Sequence, residues 1–348
     1  MSNLLYILSG ADEKAGGGVL LCRSDGGLPE KVKLFPLTKP MYMELSGGRL
    51  DVVFRGDGGA FGVFGDVVSE SFYTCAESAP DGELSDFAPP VSCEGTSGCH
   101  ITRGGGDVYV ANYGSGSAVK LSPDENGNYR VTARVKHAGS GPFVGRQEKA
   151  HLHQVIFTPD GEQICAVDLG IDKVVLYDRD LRMQSFVSLP PRSGARHMIF
   201  SPDGKAAYTI NELDSTVHRL SYDGRRLKYV ASYDLLEPGH DTAYRDLCTG
   251  AAIRFSPCGN YLYTCVRYDN SIQVFARSRD NSLTKLQHIP CGGDWPRDIN
   301  ISPDGKLLLS ANERENTVTA FSVGEDGMLT RLPGELSVPA PNNIVFLN

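Results

Sequence analysis

Six charged side chains in this chain have the types needed to handle a small anionic molecule. They are His153 in "AHLHQVIF", Arg196 in "SGARHMIF", Glu212 in "TINELD", Arg267 in "TCVRYDN", Arg297 in "DWPRDIN" and Glu313 in "SANEREN". Arginine offers a planar fork of N–H donors that matches a carboxylate or phosphate. A histidine, or a glutamate with a raised pKa, can pass a proton near neutral pH. Each of the six stands just before or just after an apolar run, where a strand would begin or end. Whether they meet depends on how those strands are arranged.

Other chemistries are poorly supported. The nine cysteines form no Cys-x-x-Cys pair, and only "HLH", His151 and His153, has a close histidine spacing, so no metal site is expected. A nucleophilic thiol needs a nearby base, which the spacing does not supply, so Cys165, Cys265 and Cys291 read as core thiols. Gly-rich stretches such as "AGGGV" and "RGGGD" precede no helix and so do not cradle phosphate; they read as loop tips.

The elements that must position these residues recur. "FTPDGEQICAVDLGIDKVVLYD" starts at Phe157 and "FSPDGKAAYTINELDSTVHRLS" at Phe200. "FSPCGNYLYTCVRYDNSIQVFA" follows at Phe255 and "ISPDGKLLLSANERENTVTAFS" at Ile301. Two weaker copies precede them, "ITRGGGDVYVANYGSGSAVKLS" from Ile101 and "LSGGRLDVVFRGDGGAFGVFGD" from Leu45. Each reads as a strand, a tight turn, an alternating strand, a polar turn and a third strand, with a fourth such as "RRLKYVASYD" after it. Four strands repeated about every 40 to 55 residues predict β-propeller blades, which must stack and close because one blade cannot cover its own two apolar faces. The last residues, "NNIVFLN", resemble a first strand whose second strand would be "NLLYILSG" at the beginning of the chain. Counting that split blade gives an all-β, seven-bladed propeller of four-stranded blades, closed by pairing the N- and C-terminal strands, with residues 1–348 as one domain.

In such a ring the first strands lie nearest the axis, and each second strand ends where its first began. Counting back six residues from the repeat prolines Pro159, Pro202, Pro257 and Pro303 gives His153, Arg196, Ala251 and Arg297, and the weaker units add Met41 and Ser97. Counting forward ten gives Leu169, Glu212, Arg267 and Glu313, with Tyr113 and Asp57 from the weaker units. One mouth should therefore gather His153, Arg196, Glu212, Arg267, Arg297 and Glu313. Two readings of that gathering stand side by side: an anion-handling site, or a structural ring of ion pairs. His151 lies farther out than His153, able to reach a substrate or to be solvated. His197, opposite in alternation to Arg196, is expected to pack between blades. Asn112, Asp168, Asn211 and Asn312 share a register that suits turn-building. Trp295 is expected near the mouth as a wall or a plug.

Bulk composition narrows the partners. With 41% hydrophobic and 22% charged residues the chain can build a core. A net charge of −8 argues against nucleic acid and anionic membranes, and no apolar run is long enough to span a bilayer. The opening "MSNLLYILSGADE" reads as a strand rather than an export signal, and with nine cysteines this predicts a cytoplasmic protein with reduced thiols.

The segments "RQEKAHLHQVIFTPDG", "GARHMIFSPDGKAAYTINEL", "AAIRFSPCGNYLYTCVRYDNSIQVF" and "DWPRDINISPDGKLLLSANE" resemble the lactonase-type seven-bladed propellers, the group of bacterial 6-phosphogluconolactonase and fungal carboxy-cis,cis-muconate cyclase. The resemblance implies a lactone-opening or lactone-forming site in the central funnel, with the catalytic group falling on His153, Arg196, Glu212 and Arg267. His151, Arg146, Arg297 and Glu313 are then expected to bind substrate. With the arginines of the mouth, the resemblance points to a small anionic lactone or sugar-acid substrate, 6-phosphogluconolactone among the candidates, and to no cofactor. A metal-dependent lactonase propeller would need an Asn/Asp/Glu cage at the axis, and this mouth carries too many arginines to attract Ca²⁺, so no metal is expected. The chain would act as a monomer or weak homo-oligomer. The alternatives are a cyclase using the same site and a non-catalytic propeller that presents its rim to a partner.

Overall fold

A computed structural model of the chain describes residues 3–56, 60–61 and 67–347. Seven antiparallel sheets form the ring. From the axis outward, blade 1 comprises Pro40–Ser46, Arg49–Arg55, Glu70–Glu77 and Val91–Thr96, and blade 2 comprises Gly98–Gly104, Asp107–Asn112, Ser117–Pro123 and Tyr129–Lys136. Blade 3 is Leu152–Phe157, Gln163–Asp168, Lys173–Asp178 and Met183–Ser188, and blade 4 is Ala195–Phe200, Ala206–Asn211, Thr216–Tyr222 and Leu227–Asp234. Blade 5 is Thr249–Phe255, Tyr261–Arg267, Ser271–Arg277 and Leu283–Pro290. Blade 6 is Pro296–Ile301, Leu307–Asn312, Thr317–Val323 and Leu329–Arg331, its third strand also pairing Leu336–Ser337. Blade 7 joins the two ends of the chain: Pro341–Phe346, Asn3–Ser9, Gly18–Ser24 and Glu30–Pro36. The first strands pack against one another in sequence, and blade 7 meets blade 1 to complete the circle.

Closure has a visible chemistry. Leu5 to Leu8 pair with Phe346 to Asn343. Asn343 Oδ1 accepts the Met43 N–H at 3.0 Å, and Asn342 Nδ2 donates to Pro40 O at 2.8 Å, which ties blade 7 to blade 1. Apolar clusters fill the seams between neighbouring blades all the way round, as where Ile210, Val217 and Leu235 of blade 4 meet Ile253, Leu262 and Phe275 of blade 5. Each buried side chain of this kind contributes about 1.5–3 kcal/mol relative to exposure. Second-strand tyrosines latch several seams: the hydroxyls of Tyr109, Tyr208 and Tyr263 donate to Arg179 O, Asn281 O and Gly327 O of the following blade at 2.7, 2.7 and 2.9 Å. The aromatic body is buried and the polar tip finds an acceptor.

Two local expectations are corrected. In blade 1 the third strand is Glu70–Glu77, beyond the unit from Leu45 that is expected to hold it, because a small pairing of Ala60–Phe61 with Val67–Val68 is inserted before it. The second correction concerns turn length. Blades 1 and 2 join their inner strands through two-residue turns, Gly47–Gly48 and Gly105–Gly106, whose positive φ values suit a tight hairpin. The Pro-Asp-Gly turns of the stronger blades are two residues longer; Phe200 pairs with Ala207, whereas Leu45 pairs with Leu50. Counting across the short turns therefore slips by two.

Candidate active site

One backbone device builds the mouth. In every blade the pairing of first and second strand slips at the same end, leaving an extra residue in the first strand. The extra residues are Met41, Cys99, His153, Arg196, Arg297 and Asn342, with Ala251–Ala252 in blade 5. A β-bulge bends the strand and re-aims a side chain, and bulges are common beside active sites. A second ring stands one residue beyond the paired end of the second strand in six blades, Gly10, Arg55, Tyr113, Leu169, Glu212 and Glu313, and in blade 5 it is the last paired residue, Arg267, opposite Thr249.

These two rings, apart from Leu169 and the alanines, line a single cavity of about 360 Å³ together with Lys39, Gly56, Ser69, Ser97 and Arg146. His153, Arg196, Glu212, Arg267, Arg297, Glu313 and Arg146 all reach it. His151 does not: its ring stacks on Tyr113 with centroids 4.4 Å apart, and its Nε2 is 2.9 Å from Glu148 Oε1, so it backs the wall rather than forming it. The slipped count also explains two misplaced residues. Cys99, not Ser97, is the bulged residue of blade 2, and Arg55 holds the register at which Asp57 was expected; Asp57 itself lies outside the described residues. Arg55 and Cys99 were thus hidden by turn length, and the Gly-Gly turns were the signal that could have revealed them.

Glu212 is the electrostatic centre. Arg146 donates to its Oε1, Arg267 Nη2 stands 2.8 Å from the same oxygen, and Arg196 Nε is 3.8 Å from Oε2. Burial alone would raise the Glu212 pKa, but the Arg267 and Arg146 guanidiniums hold the carboxyl well below the usual range. Burial, and then the charges of Arg267 and Arg297, lower the Arg196 pKa to about 10. Arg297 is held by Glu313 at 3.0 Å. Burial, followed by the Arg196 charge, keeps the His153 imidazole well below its ordinary pKa, hence neutral at physiological pH. Six cationic side chains face two carboxylates among the described lining residues. Among the described residues, the buried guanidinium nitrogens of Arg196 (Nε) and Arg267 (Nε, Nη2) meet no acceptor in hydrogen-bonding geometry. The wall is therefore rich in donors and in positive charge, as an oxyanion or phosphate requires.

Below the mouth the axis is plugged by rings. His197 meets His153, His100 and Tyr42 edge-on at 5.3, 5.4 and 5.9 Å, and Tyr42 stacks on His100 at 4.2 Å. His197 thus points to the axis, not between blades, because the bulge at Arg196 resets the alternation of side chains along that strand. The Asn/Asp register is structural as expected: Asp168 Oδ1 accepts the His151 and Gly170 N–H groups, each at 2.9 Å, and Asn112 Nδ2 donates to Cys93 O. All nine cysteines are unpaired. No group of three or more His, Cys, Asp or Glu suited to a metal ion occurs among the described residues, and none of their helices is long and apolar enough to cross a membrane.

Comparison with known proteins follows the same lines. A family model described as a lactonase, seven-bladed β-propeller matches residues 29–346. The 6-phosphogluconolactonase of Bacillus subtilis is 32% identical over an alignment covering 77% of this chain and 78% of that protein. The 6-phosphogluconolactonase of Formosa agariphila is likewise 32% identical, covering 72% of this chain and 74% of the relative. The solved structure of a periplasmic gluconolactonase from Pseudomonas aeruginosa superposes with a TM-score of 0.88 over 100% of this chain and 99% of that one, at 26% identity.

Proposed function

Since the chain belongs to the lactonase family of seven-bladed β-propellers, we propose that it hydrolyses a sugar-acid lactone in the mouth cavity, with 6-phosphogluconolactone as the first candidate. The observation that carries this reading is the cavity wall itself: among the described residues, six cations against two carboxylates, with the Nε donors of Arg196 and Arg267 lacking a hydrogen-bond acceptor. A volume of about 360 Å³ suits one sugar-sized ring.

The reaction divides among these side chains as follows. His153, neutral and at the cavity wall, takes a proton from water, which adds to the lactone carbonyl. The negative charge of Glu212, among its neighbours, stabilises the imidazolium that forms. Arg196 and Arg267 receive the developing oxyanion. The ring C–O bond then breaks, and the His153 proton passes to the departing alkoxide, giving the hydroxy acid. Glu212 itself is a poor base, clamped by Arg146 and Arg267; its part is to hold the guanidiniums in place. Arg297 and Arg146 bind the anionic tail of the substrate.

The test is acid release, corrected for spontaneous opening, from 6-phosphoglucono-, glucono-, galactono- and muconolactones. Saturable acceleration of a sugar lactone is expected. No acceleration of any lactone by the folded protein refutes the reading.

A further inference from the structure

Trp295 is the single tryptophan of the chain, and it is held in an unusual way. Its φ is +66°, a left-handed conformation that bulky residues rarely adopt, and it precedes Pro296, which makes helical-type backbone at this position harder still. The strain is opposed by specific bonds. Asn270, itself at φ +53°, accepts the Trp295 N–H on its Oδ1 at 2.8 Å and donates from Nδ2 to Asp294 Oδ1 at 2.9 Å. Trp295 O in turn accepts the Glu313 N–H at 3.0 Å. The outcome of this clamping is an indole with two guanidiniums over its ring: Arg267 at 5.3 Å and Arg314 at 3.3 Å from the ring centroid. Arg267 is in the cavity wall; Trp295 is not. Strained backbone persists where surrounding structure over-determines it, and such residues gather at functional sites.

We propose that Trp295 is a positioning residue for Arg267: its indole face fixes the guanidinium that meets the substrate oxyanion. A cation–π contact suits this task, because Arg267 keeps its N–H edge available for substrate while its face is held. The inference rests on Arg267 acting as proposed above, and the tests are chosen so that the two can fail separately.

Trp295→Leu should lower kcat/KM by about tenfold, the size of a partly desolvated cation–π contact. Trp295→Phe should recover most of the activity. In an Arg267→Ala background, Trp295→Leu should cost little more, because both changes remove one coupled element. A Trp295→Leu enzyme equal to wild type, or one that loses the same factor with and without Arg267, overturns the proposal. The lone indole also reports directly. Titration with 6-phosphogluconate should change its emission saturably in the wild type and not in Arg267→Ala. Emission unmoved by saturating product overturns the positioning role. A wild-type protein that opens no lactone refutes the proposed function instead, and the emission titration then decides the Arg267–Trp295 coupling alone.

Discussion

Glu212→Gln is the substitution whose consequence can be worked furthest. The amide keeps the shape of the carboxylate and removes only its charge. In the native protein that charge sits between Arg146, Arg267 and Arg196, the last two at 2.8 and 3.8 Å, in surroundings where the carboxyl is almost wholly buried. At an effective dielectric of about 20, each unit-charge attraction at 4 Å is roughly 4 kcal/mol before desolvation is counted. Removing one member of a buried ion pair typically costs about 3–5 kcal/mol, since the partners stay buried without compensation. With an m-value of ~3 kcal/mol/M, the urea midpoint should drop by about 1 M or more. Phosphate should restore part of this loss, because an anion binding the folded cavity replaces the missing charge. The assay is urea unfolding of wild type and Glu212→Gln, each with and without phosphate. A variant as stable as wild type and indifferent to phosphate would refute the claim that Glu212 holds the arginines.

Further outcomes are expected from the same geometry. Arg196→Ala should lower kcat by about 10²-fold while leaving a folded protein, measured by acid release and near-ultraviolet circular dichroism. Because the His153 imidazole is held well below 6.5, kcat/KM should stay level from about pH 8 down to 6.5 and fall only in more acid solution, as read from a pH–rate profile. Burial lowers His218 to about 4, so the unfolded chain binds a proton below 6.5 that the folded one refuses. Its contribution is complete above 6.5 and is lost as pH falls toward 4, about 3 kcal/mol in all, and His218→Gln should flatten that part of the stability–pH curve. Ile344→Ala, in the strand that closes the ring, should destabilise by about 2–5 kcal/mol in chemical unfolding.

The architecture was legible because the same turn chemistry recurs. Ser201 Oγ donates to Asp203 Oδ1 at 2.6 Å and Thr158 Oγ1 to Asp160 Oδ1 at 2.6 Å, so each Pro-Asp-Gly turn marks the same point of its blade and can serve as a ruler. That ruler brought His153, Arg196, Glu212 and Arg267 together correctly. It failed where glycine pairs shorten the turn, which shifted Asp57 for Arg55 and Ser97 for Cys99. It failed again at His197, since alternation along a strand does not survive a bulge. The ion pair between Arg146 and Glu212 spans 66 residues and depends on the course of the loop before blade 3, which strand periodicity does not encode.

The central claim is that the two rings at the mouth present His153 and Arg196, from the bulges, and Arg267, from a second-strand end, as the machinery of lactone hydrolysis. The most direct measurement is kcat for 6-phosphogluconolactone opening by folded His153→Asn and Arg196→Ala beside wild type, at neutral pH. The account predicts rapid saturable turnover in the wild type and losses of about 10²-fold or more in each variant. Turnover at the wild-type rate in either variant, with its fold intact, would contradict it.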